Sequence, residues 1–178
     1  DPDLPSAGDE LAESITYLED VYELFPKVMV VDSNHGSMVY RKGKHHGIPR
    51  KYLRDYGDIL EAPKGWSWDY ELNLQCGDNK VRFRHQFGKN ILKAAEQAAC
   101  CLVGGHFHED FLIQYSGNSD RLIWAVTTGC LIDDDTLAFN YNNANLKRPI
   151  IGCTVILNGL PHLVPMVMAP GGRWVGKL

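Results

Sequence analysis

At 178 residues, 44% of them apolar and 22% charged, the chain has the size and composition of one soluble domain spanning 1–178. No apolar run approaches the roughly 18 residues of a membrane span, and a net charge of -4 argues against coating of nucleic acid by the whole surface, although positive charge is dense between Arg41 and Arg54. The five cysteines, at 76, 100, 101, 130 and 153, form no C-x-x-C pair and are odd in number. They fit neither a disulfide framework nor a cysteine-rich zinc site, so a reducing cytoplasm is the simplest compartment. The chain begins with Asp and opens with neither a basic nor an apolar leader region, so a piece of a longer protein is expected.

Residues 6–25 predict an amphipathic helix, with Ser6 as its cap, Asp9 and Glu10 near the positive end, and Leu11, Ile15, Leu18, Val21 and Leu24 recurring at three and four. Pro26 ends it. Val28 to Val31 is an apolar run of the kind buried in a central sheet, and it delivers Asp32-Ser33-Asn34-His35-Gly36 to a loop. Arg41 to Gly47 reads as an exposed loop, and Pro49 as the start of a short helix carrying Tyr52, Leu53 and Tyr56. Trp66 to Cys76 and Lys80 to His85 predict a hairpin around Gly77-Asp78-Asn79, which leaves His85 at the end of its second strand. Residues 89–99 have helical composition, and Cys100 to Val103 is a buried strand that ends in Gly104-Gly105-His106. Beyond Phe111, four short apolar segments (Phe111 to Gln114, Arg121 to Val126, Thr154 to Leu157, His162 to Pro165) resemble the strands of a second sheet.

His106 and His108 share a face of an extended strand, and at a strand end a tight turn could aim both imidazoles into one cleft. A solvated loop pair is an equally ordinary reading. Asn34-His35 and a lone His85 are weaker signals, since both residue types suit loops. What links them is position: all three groups fall at the inferred ends of apolar strands, where open sheets gather their ligands. Together they offer neutral nitrogen and oxygen donors for a divalent cation, with one His left over as a proton donor.

The order Asn34-His35, then His85, then Gly105-His106-Phe107-His108 resembles the calcineurin-like metallophosphoesterases, whose later motifs are Gly-Asn-His-Asp/Glu, a single His, and Gly-His-x-His. Gly129 followed by strands and the Gly172 to Trp174 close extend the likeness over nearly the whole chain. The resemblance implies an α/β fold of two packed β-sheets flanked by helices, and two divalent ions, Mn, Fe or Zn. It further implies that Asn34, His85 and His106 bind one metal, that His108 binds the other, and that His35 protonates or steadies the leaving oxygen. Two such ions neutralise a phosphate and activate a water for in-line attack.

This sequence departs from the family pattern twice. The Asp-x-His and Gly-Asp-x-x-Asp motifs, whose carboxylates hold the first metal and bridge the pair, do not precede Asn34, so a separate N-terminal segment or a second chain is expected to complete the site. Gly36 stands where the family has an acid, and Ser33 where it has Gly; Asp32, Asp58 or Asp69 could substitute in space for the missing acid. The basic stretch that begins at Arg41, Lys42 and Lys44 would attract a phosphate ester if it borders the site, and Tyr40, Tyr52 and Tyr56 within it favour a nucleotide or nucleic acid. The rival readings are a non-catalytic binding or scaffold protein on a degenerate form of the fold, and a hydrolase with one ion on His85, His106 and His108. Asp133-Asp134-Asp135 lacks calcium-loop spacing and reads as a solvated turn.

Overall fold

In the computed structural model, which describes residues 6–132, 149–169 and 174–176, Ser6 begins the first helix as its sequence predicts. Helix α1 (Ala7–Leu24) opens on a reciprocal cap, in which the Ser6 hydroxyl accepts from the Asp9 N–H and the Asp9 carboxylate accepts from the Ser6 N–H. These bonds hold the Asp9 carboxyl below its ordinary value, the side-chain bond to Ser6 contributing most. The chain divides into two compact units, Asp1–Tyr70 and Glu71–Leu178.

In the first unit, β1 (Val28–Val31) pairs in parallel with β2 (Trp66–Asp69) as a two-stranded sheet. The buried central strand expected here is not what forms: β1 is only half-buried, and Met29 is 52% exposed. The stretch expected as a loop is instead helix α2 (Met38–His45), followed by a 3-10 turn over Arg50–Tyr52. Gly43 explains the difference. It is the buried residue of α2, and a side chain there would meet Leu53 and Ile48, so the helix is fixed by packing at a residue with no helix propensity of its own. A single turn, α3 (Tyr56–Ile59), precedes β2.

In the second unit, β3 (Leu72–Cys76), β4 (Asn79–Arg84), β5 (Cys101–Gly104), β6 (Phe111–Gly117) and β7 (Leu122–Thr128) form one five-stranded sheet in the order β3-β4-β5-β7-β6. The segment read as one strand from Trp66 to Cys76 is therefore two strands in two different sheets. Likewise, β6 and β7 join this sheet, and only β8 (Gly152–Leu157) and β9 (Leu160–Pro165) pair separately, as an antiparallel hairpin. Helix α4 (Ile91–Ala98), capped by the Asn90 side chain, covers one face, where Ile91 and Ala95 pack on Leu102, Ile123 and Ala125. The alternate residues Val81, Cys101, Trp124 and Val126 form the other face, covered by Ile156 and Leu163 of the hairpin. The result is a mixed α/β layering of helix, sheet and hairpin.

One turn locks the hairpin down. Asn158 and Gly159, both at positive φ (51° and 80°), make the tight β8–β9 turn, and the Gly159 carbonyl accepts from the buried Trp124 indole at 3.0 Å and the Asn79 amide at 2.9 Å. Among the described residues no helix is long and apolar enough to cross a membrane. The Asp133-Asp134-Asp135 segment, Gly172 and Arg173 lie outside the described residues.

Candidate metal centre

Strands β4, β5 and β7 run parallel side by side, so their C-terminal ends bring His85, Gly105-His106 and Thr128 to one edge of the sheet. The ladder continues one step past β4 and β5, because the Gly105 N–H donates to the His85 carbonyl at 3.0 Å. The chain then reverses sharply. The Phe107 N–H donates to the Gly105 carbonyl at 2.9 Å around His106, which sits at φ 72°. A three-residue turn of this hand strains a non-glycine residue by about 1–3 kcal/mol and is found where the surroundings hold it in place.

The turn sets the imidazole. His106 Nδ1 lies 3.1 Å from His85 Nε2, with the rings nearly perpendicular at 79°, and Phe107 packs edge-on against His106. Both histidines are half-buried. With metal–nitrogen bonds of about 2.0–2.1 Å, adjacent nitrogen ligands of one ion stand about 2.9–3.4 Å apart, so the observed separation fits a shared ion. The same distance serves a direct hydrogen bond, in which one ring donates and the other accepts.

His108 follows on the same loop, half-buried, and its carbonyl accepts from the Ile150 N–H at 2.9 Å. Among the described residues no three His, Cys, Asp or Glu side chains gather as a metal-binding group. The pair therefore fits an ion as two of its ligands and needs others. Sequence reasoning missed a groove between the end of β4 and α4, lined by Arg82, Arg84, Gln86, Phe87, Ala94 and Ala98. Arg82 there is already engaged, by Glu71 at 3.4 Å and Asn73 at 3.2 Å.

The remaining candidates lie in the first unit. Asn34 and His35 follow β1 in a turn closed by the Ser37 N–H on the Ser33 carbonyl, at 2.9 Å. His35 is exposed and Asn34 half-buried. Arg41 folds back, donating to the Asn34 carbonyl at 2.6 Å and to the Ser37 hydroxyl at 3.3 Å, whereas Lys42 and Lys44 extend into solvent. Gly36 is closely flanked where an acid is expected: a Cβ there would stand 3.1 Å from Asp32 Oδ1, 3.1 Å from Ser33 Oγ and 3.2 Å from the Tyr56 hydroxyl, so these side chains would have to give way slightly. Of the three acids that could substitute, Asp32 has its carboxylate close to this spot. The Tyr56 hydroxyl is pushed above its ordinary value by burial first and by the nearby Asp32 charge second.

No protein-family model matches the chain, and no curated protein matches it in sequence. Among solved structures, a vacuolar protein sorting 29 from Cryptosporidium parvum superposes with a TM-score of 0.38 at 12% identity, over 84% of this chain and 73% of that one. An archaeal phosphodiesterase superposes with a TM-score of 0.39 at 14% identity, over 87% of this chain and 93% of that one. At these TM-scores the likeness defines neither a family nor an activity for this chain.

Proposed function

We propose that the chain belongs to a metal-dependent phosphoesterase of the calcineurin-like kind, acting on a phosphate ester and preferably on a phosphodiester of a nucleotide or nucleic acid. The observation that supports it most is the strained His106, held with its Nδ1 3.1 Å from His85 Nε2 where three parallel strands end. Backbone strain of this kind persists where a side chain must be aimed. Two divalent cations, of Mn, Fe or Zn, would neutralise the phosphate and activate a water for in-line attack.

The chain's own residues divide the remaining work. In this reading His85, His106 and Asn34 would serve as ligands to one ion and His108 to the other, while His35 would give a proton to the leaving oxygen. Arg41 steadies the Asn34 loop, and Lys42 and Lys44 attract the substrate's phosphates. The carboxylates this set lacks come from an N-terminal segment or a second chain. Two observations favour such an addition. Parallel strands are normally covered on both faces, yet among the described residues β1 and β2 pair only with each other, and no apolar side chain described in the first unit is fully buried. None of the five cysteines forms a disulfide, which suits a reducing cytoplasm.

Calorimetric titration with Mn, run alongside hydrolysis of bis-p-nitrophenyl phosphate, tests the reading on the full-length protein. Two ions bound and turnover are expected. One ion with turnover supports the single-metal variant, and metal without turnover supports a scaffold. Neither metal nor turnover removes the proposal.

A further inference from the structure

We infer that α2 and the 3-10 turn after it form a binding surface for single-stranded nucleic acid. The inference rests on the phosphoesterase reading for what happens to the strand, not for the binding itself. Charge is segregated along this chain. Residues 38–54 carry six lysines and arginines and no acid, whereas the other residues carry twelve against 22 acids. An acidic protein that concentrates its positive charge in one short stretch creates a local field opposite in sign to its own net charge.

Helix-end stabilisation accounts for part of this pattern, since Lys42, Lys44 and His45 occupy the last turn of α2, where cations favour the negative end of the helix. It does not account for Lys51 and Arg54, which lie outside the helix. Packing joins the two elements into one surface: the Gly43 carbonyl accepts from the N–H groups of His46 at 3.1 Å and Ile48 at 2.9 Å, and Leu53 closes on Gly43 from the turn. Some of the cations are used internally, Arg41 on the Asn34 carbonyl and Arg54 on that of Asp58. Arg50 approaches Asp55 at 3.6 Å, but both side chains are about three-quarters exposed, so that pair neutralises little. Lys42, Lys44 and Lys51 have no acceptor among the described residues and are the cations available to phosphates.

Two aromatic rings distinguish this surface from a generic basic patch. Tyr52 is 71% exposed with the Lys51 ammonium 5.2 Å from its ring, and Tyr40 is 39% exposed under the Arg50 guanidinium at 5.5 Å. Open rings beside cations are platforms on which unpaired bases stack while the cations follow the backbone. A duplex keeps its base faces to itself and could use only the charges.

Fluorescence anisotropy of the full-length protein with a labelled oligothymidylate of about 15 nucleotides tests this, in EDTA and across a salt series. Binding should weaken linearly in log–log form, with a slope of about -0.7 per phosphate contacted. Lys42→Ala/Lys44→Ala/Lys51→Ala should weaken it at least about tenfold and flatten the slope by about 2. Tyr52→Ala should cost about tenfold without changing the slope, and Lys93→Ala, which removes an exposed cation on α4 outside the patch, should bind as the parent does. No binding by the parent, unchanged binding by the triple variant, or preference for a duplex or for phosphatidylserine vesicles would overturn the inference. Binding in EDTA without later hydrolysis in Mn leaves it standing and removes only the phosphoesterase reading.

Discussion

His106 carries both a strained backbone and the candidate ligand atom, so the two properties can be separated by substitution. Glycine tolerates φ 72° and alanine does not. His106→Gly should therefore be more stable than His106→Ala by about 1 kcal/mol in urea unfolding, while both lose Mn affinity by at least about tenfold. Equal stability of the two would mean that the turn is not held as described. A second contrast concerns His35. If it protonates the leaving oxygen, His35→Ala should lower kcat by about 10²–10⁴ for an alkyl leaving group and far less for a nitrophenolate, which departs without a proton. Equal losses would assign His35 to binding instead. The positions of His85 and His106 at strand ends were readable from apolar runs followed by polar residues. The reversal at His106 was not, because nothing in Gly-Gly-His demands a positive φ at the His. Gly36 reads in sequence as a lost acid, whereas the side chains of Asp32, Ser33 and Tyr56 close in on it, a tertiary fact with no local signal.

Apart from α2, which is fixed by packing and not by local pattern, secondary elements followed local pattern, and their partners did not. The capped α1, the Asn90-capped α4 and the turns at Gly77 and Asn158-Gly159 all have short-range causes. Alternation of Trp66, Trp68, Tyr70, Leu72 and Leu74 runs unbroken through the change from β2 to β3, because a period of two records which face is covered and not which strand lies alongside. The same limit put β6 and β7 in the wrong sheet. Where two elements meet, a single residue can be decisive. Gly159 sits at φ 80° with the Cys76 carbonyl 2.8 Å from where a Cβ would be, and its own carbonyl holds the Trp124 indole and the Asn79 amide. Gly159→Ala should destabilise by about 2 kcal/mol or more, combining backbone strain with a disturbed buried hydrogen bond. Urea unfolding followed by tryptophan fluorescence reads this out, and a change below about 0.5 kcal/mol would show that the hairpin shifts freely on the sheet.

Across the whole molecule, the groups with raised values are divided between the units: Tyr22 and Tyr56 in the first, Cys101 in the second. Burial is the leading cause for each, and the Glu61 charge adds to it at Tyr22. A proton held more tightly in the folded state contributes stability below the unfolded value and loses it as pH rises through the folded one. Folding should therefore weaken as pH climbs past the ordinary thiol value of 9.0 and then the phenol value of 10.0, with Tm falling over that window. A flat Tm there would deny the burial of these groups.

The fully buried apolar side chains described, from Val81 to Val126, all belong to the second unit, so the resistance of the two units to opening should differ. Local opening is easiest where few apolar groups are buried, and protease attack follows the population of open forms. Limited proteolysis should cut within residues 1–70 first and leave a fragment beginning near Glu71. Cutting of both units at one common rate would instead support the single domain that length and composition suggest. If carboxylates from an N-terminal segment or a second chain complete the metal site, supplying that piece together with Mn should slow the early cuts around β1 and α2 more than those after Glu71. Protection by Mn alone would place the whole ligand set within this chain and remove the need for another segment.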